Sequence, residues 1–135
     1  MKQDVPAPGE IWWLNMSPSA GREQRGPHPA LCLSAFKFNR ATGLAFFAPI
    51  TTVGNASRGS GFAVSLTGAG TETTGVVQVD QVRSFDWRDR GGRQSRDTVP
   101  AALLAEVLER FAPVFGLGVL APDTEQEQAP PQARI

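Results

Sequence analysis

The one histidine of this 135-residue chain, His28, stands in Gly21-Arg22-Glu23-Gln24-Arg25-Gly26-Pro27-His28-Pro29. That segment mixes glycines, prolines, a carboxylate, an amide, two cations and an imidazole. Such a composition predicts a surface loop, because a buried one would strand backbone polar groups. An imidazole changes charge near neutral pH and suits proton transfer. Glu23 offers a second acid–base group and Arg25 a permanent cation. Thr51 and Thr52 follow an apolar run and add hydroxyl donors. Between Arg83 and Arg96 stand five arginines against Asp86 and Asp89. Arginine grips phosphates and base edges through a planar fork, and the competing reading of this stretch is a solvated loop.

These groups are what metal-free RNA cleavage requires. A base takes the proton of a ribose 2′-OH, which attacks the adjacent phosphate. Cations and hydroxyls hold the phosphorane charge, and an acid protonates the leaving 5′-oxygen. The nucleophile belongs to the substrate, so no activated side chain is needed. Other chemistries are poorly supplied. One histidine and one cysteine do not make a zinc shell, so neither metal nor cofactor is expected. No serine occupies a Gly-x-Ser-x-Gly elbow, and no phosphate-cradling Gly-x-x-x-x-Gly-Lys loop occurs. Cys32 lies within Ala30-Leu31-Cys32-Leu33 and reads as a small core residue.

The elements that must position these residues are short. Glu10–Asn15, Ala30–Ser34, Leu44–Ala48, Phe62–Leu66 and Val76–Val79 read as strands, the last running on through Ser84. Asn39 to Gly43 gives a turn, and residues 17–29 and 53–61 give two long loops. The apolar period then changes. Leu103, Leu104, Val107, Leu108 and Phe111 mark one face of a helix, which Thr98 would cap, Pro100 open and Pro113 stop. The expectation is a mainly β fold, a small curled antiparallel sheet with a late helix packed on it. Residues 1–8 read as a loose N-terminus, 9–120 as the folded domain, and 121–135 as a disordered Pro-rich acidic tail.

The same residues resemble the MazF/PemK toxin family. Gly9-Glu10-Ile11-Trp12-Trp13, followed by Gly21-x-Glu23-Gln24-x-Gly26-x-His28-Pro29-Ala30-Leu31-x-Leu33-Ser34, is similar to its opening. Pro49-Ile50-Thr51 matches its next block, and Asp80-Gln81-Val82-Arg83-Ser84-Phe85-Asp86-Trp87-Arg88-x-Arg90 a third. Val99-Pro100 then opens the final helix. The resemblance implies an SH3-like curled antiparallel β-barrel with a C-terminal helix. It implies a homodimer that cuts single-stranded RNA at short sequences without metal, and a cognate antitoxin that occupies the RNA groove. Site roles are implied residue by residue. Thr51 takes the family's threonine role. Glu23 joins it in catalysis, and Gln24, Arg83, Arg88 and Arg90 contact RNA. Arg25 and Arg58 lie outside the matched positions and are candidates as nearby cations, Arg25 for catalysis and Arg58 for RNA contact. One departure matters: the family has its principal catalytic arginine where this chain has His28. His28 then admits three readings: a working substitute with an altered pH profile, an attenuated enzyme with Arg25 supplying charge, or an inactive groove.

The charge balance is neutral, 13 basic against 13 acidic side chains, so bulk attraction to nucleic acid is not evident. No apolar stretch is long enough for a membrane span and no signal peptide precedes Gly9, which predicts a cytoplasmic protein without membrane contact. The alternative functions are a non-catalytic RNA- or antitoxin-binding protein on the same fold and a gyrase-binding toxin of the CcdB kind. Glu23-Gln24, Thr51 and the Asp80–Arg90 block favour the nuclease.

Overall fold

A computed structural model describes residues 5–16, 26–52 and 61–117. Among them run β1 (Glu10–Asn15), β2 (Pro27–Cys32), α1 (Phe36–Thr42), β3 (Ala45–Thr51), β4 (Ala63–Ser65), β5 (Val76–Gln78), β6 (Arg83–Phe85), β7 (Arg93–Thr98) and α2 (Ala101–Phe111). Short 3-10 turns occupy Val79–Gln81 and Ala112–Phe115. The strands form one curled antiparallel sheet in the order β4-β5-β3-β2-β1-β7, with β6 also pairing β3. The two ends of that order are not bonded to each other, so the sheet curls without closing into a full barrel.

Alternation along the strands builds a core on each face. One face sends Ile11, Leu31, Ala48, Ile50 and Val77 against α2, whose Val107 is fully buried and whose Leu103, Leu104 and Phe111 pack beside it. The other sends Trp12, Leu14, Ala30, Cys32 and Phe47 against Phe85 and Trp87. Cys32 is core, as expected, and burial raises its thiol to about 11, which removes it as a nucleophile.

Several local expectations are corrected. His28 is on a strand, not in a loop, because β2 pairs with β1 as far back as Pro27. Residues 36–42 form a helical turn where only a link was expected. Gly43 ends it at φ +79°, and Asn39 is buried as a polar hub, donating to the Pro6 and Ser34 carbonyls at 2.8 and 3.1 Å. Residues 93–98 of the arginine stretch form β7 instead of a loop, since pairing with β1 satisfies their backbone. Thr98 does not cap α2; Pro100 takes that position without a side-chain bond. The loop at 53–60, most of the loop at 17–29 and the tail lie outside the described residues.

One close approach ties the sheet's two halves. A Cβ at Gly75, where φ is +122°, would stand 2.5 Å from the Thr51 carbonyl oxygen. Gly75→Ala therefore meets both backbone strain and a clash with main chain, and is expected to lower stability by about 2–3 kcal/mol. Gly43→Ala, with φ +79° but open space around it, is expected to cost about 1 kcal/mol. Urea unfolding of both variants checks this, and equal losses would show that the approach to Thr51 does not matter.

Candidate active site

The prolines of β2 shape the site. β2 pairs with β3 only from Ala30 to Cys32, so at its Pro27–Pro29 end it bonds to β1 alone. Proline cannot donate to a ladder, which suits a place where pairing ends. The register that sets Ala30 opposite Pro49, carried two residues further, aligns His28 with Thr51. Strand alternation puts these two side chains on the same face of the sheet. Both are partly buried.

The third block pairs with the start of β3 at Ala45–Phe47, and the loop after it returns to the end of β1 at Asn15. Arg83 lies opposite Phe47 and so shares the face of Cys32, Ala30 and His28. Arg83 and Arg90 flank the Phe85 ring, with guanidinium carbons 4.7 and 5.1 Å from its centroid, and Arg88 lies 4.9 Å over Trp87. The two rings are almost wholly buried and act as rigid seats. A tight turn fixes the loop that follows Trp87, with the Gly92 amide donating to the Trp87 carbonyl at 2.7 Å. Arg90 also donates through Nη1 to the Asn15 carbonyl at 3.3 Å, while the Asn15 amide donates back to the Arg90 carbonyl at 2.9 Å. Asn15 is next to Leu14, the β1 partner of His28. Neither Arg83 nor Arg88 forms an ion pair with Asp86 or Asp89 among the described residues.

His28, Thr51, Arg83, Arg88 and Arg90 are thus placed, the first three sharing a face. Glu23, Gln24, Arg25 and Arg58 lie outside the described residues. The sequence reading missed Gln78, which shares the Thr51 face because Thr51 pairs with Val76 two residues earlier. It also missed Asp97. That buried carboxylate accepts from the amides of Glu72 and Thr73 at 2.8 and 2.9 Å and from the Thr73 hydroxyl at 2.6 Å. Desolvation opposes its charge, but these donors outweigh it and hold the carboxyl below its ordinary value.

A protein of this architecture, with a basic rim, an imidazole and a hydroxyl at one end of a curled sheet, has the makings of an RNA-cleaving toxin. Residues 7–115 match the model of the PemK-like, MazF-like toxins of type II toxin–antitoxin systems, and the chain belongs to that family. It is 45% identical over 107 residues to the endoribonuclease PemK of Escherichia coli, covering 79% of this chain and 80% of that protein. Crystalline MazF of Deinococcus radiodurans superposes with a TM-score of 0.73 at 40% identity, covering 85% of this chain and all of the other. A MazE–MazF complex from the same organism gives 0.71 at 38% identity, covering 84% of this chain and 98% of that one.

Partial burial pulls the His28 imidazole below its ordinary 6.5. Because the folded value is depressed, any stability linked to His28 is present above the unfolded value and is lost as pH falls through the folded one. As the sole histidine, its ring protons are resolved without assignment by proton NMR. The titration midpoint is expected below 6.5, and a midpoint at or above that value would contradict the burial of the ring.

Proposed function

We propose that this protein is a toxin endoribonuclease that cleaves single-stranded RNA, mRNA in the cell, at specific short sequences and without a metal. The observation that carries the reading is that His28 and Thr51 share one face of the sheet with Arg83, while Arg90 is bonded to Asn15, next to the β1 partner of His28. His28 moves the proton, as base toward the 2′-OH or as acid toward the 5′-oxygen. The Thr51 hydroxyl donates to the phosphorane oxygens. Arg83, Arg88 and Arg90 hold the backbone and bases, with Gln24 and Arg58 as further contacts. Glu23 and Arg25 complete the proton and charge balance. The products are a 2′,3′-cyclic phosphate and a 5′-hydroxyl, because the 2′-oxygen remains bonded to phosphorus.

Residues 9–120 form the working domain of a cytoplasmic homodimer, held in check by a cognate antitoxin. The support for the antitoxin is the MazF relative seen with MazE. No described helix is long and apolar enough to cross a membrane.

Incubation with long single-stranded RNA in EDTA tests the activity. Cutting is expected to persist, and its rate to follow an imidazole ionisation below 6.5. His28→Ala is expected to abolish it. His28→Arg restores the residue of the family pattern and is expected to cut without that pH dependence. An inert wild type with an active His28→Arg would instead identify a groove lacking its catalyst.

Thr51 and Thr52 separate positioning from proximity. Adjacent strand residues point to opposite faces, so one of the two faces the phosphate. Thr51→Val is expected to lower kcat at least tenfold with little change in thermal stability, while Thr52→Val leaves kcat nearly unchanged. Equal losses in kcat would overturn the assignment.

A further inference from the structure

Behind the face of His28 and Thr51, an open cleft of about 640 Å³ runs between β1, β7 and the 72–74 turn. Its wall is a cross-strand row in which Pro29, Trp13 and Arg93 lie side by side. Arg96 and Gln94 of β7 line it, as does Thr52, the neighbour of Thr51. Trp13 is only partly buried, whereas Trp12 and Trp87 are 3% and 1% exposed. The acidic groups facing the cleft are Glu72 and Asp97. Asp97 is turned into the protein by its three donors from the 72–74 turn, so it does not compete for an anion in the cleft.

We propose that this cleft is a nucleotide subsite for the residue that flanks the scissile phosphate, and this rests on the ribonuclease reading above. Cleft and catalytic face meet where β2 begins and β3 ends, since Pro29 and Thr52 line the first while His28 and Thr51 face the second. A single RNA strand crossing that edge places its phosphate against His28 and Thr51 and its next base in the cleft. There the base stacks on the Trp13 indole, a sequence-tolerant contact. Arg93 and Arg96 hold the following phosphates.

The test uses the full chain and a mixed-sequence twelve-nucleotide RNA, 2′-O-methylated at every position so that it cannot be cut. Of the three tryptophans, only Trp13 is accessible for stacking, so its fluorescence is expected to fall on binding and the quench to vanish in Trp13→Phe. The double variant Arg93→Gln, Arg96→Gln is expected to bind about tenfold more weakly, with the salt slope reduced by roughly 1.4, two phosphates' worth. Circular dichroism confirms that the variants fold. Binding by the double variant at wild-type affinity, or an unquenched wild type that binds, overturns the subsite. A double variant that loses dimer mass in sedimentation instead of RNA affinity also overturns it, because the cleft is then an interface between copies. If the wild type binds and is quenched but cuts no RNA, the ribonuclease reading fails while the subsite stands.

Discussion

Strand β3 is the constraint on which the rest depends. One of its edges pairs with β2 through Phe47–Pro49. Its other edge serves two strands, β6 at Ala45–Phe47 and β5 at Ile50–Thr51. A seven-residue strand with three partners cannot stay flat, since each pairing brings its own twist. The change of partner between Phe47 and Ile50 is where the sheet turns. Thr51 ends the strand against Gly75, a contact that admits no side chain. The hydroxyl proposed to meet the phosphate is therefore held by backbone geometry on both sides and need not be ordered at the moment of reaction.

The arginine loop is the second rigid part. Surface arginines lose side-chain entropy when they bind, which weakens each contact. Here Phe85 and Trp87 are buried deep enough to stay still while their faces carry Arg83, Arg90 and Arg88. Much of the ordering is done during folding. On the proposed reading, the local arrangement of cations supplies what a net charge of zero does not.

The sequence showed the β-rich plan because its strands are short apolar runs bracketed by glycine and proline. The late helix was legible through the spacing of Leu103, Leu104, Val107 and Phe111, which pack as that spacing requires, whereas Leu108 of the same expected stripe is exposed. Three things were not legible. The 93–98 strand carries Arg93, Gln94, Ser95 and Arg96, and its only buried side chain, Asp97, is polar, so no apolar alternation announces it. Residues 36–42 fold as α1 through tertiary contacts, above all those of Asn39 with Pro6 and Ser34, which local propensity does not encode. His28 sits between prolines and so reads as loop, although pairing to β1 alone accommodates both of them. In the site, the block pattern picked out Thr51, Arg83, Arg88 and Arg90. That Gln78 shares the Thr51 face, and that Asp97 is held by the 72–74 turn, depend on register and long-range bonds, which no short motif contains.

The replacement of the family's arginine by His28 changes what the remaining residues must do. Arginine stays charged and stabilises a phosphorane by itself, whereas a partly buried imidazole favours its neutral form and moves protons better than it holds charge. Charge stabilisation must then come from permanent cations, and Arg90 is tethered to Asn15, one residue from the β1 partner of His28. On the proposed reading, proton transfer falls to His28 of β2 and charge stabilisation to permanent cations. Such a division makes the site sensitive to pH in a range where an arginine would be indifferent.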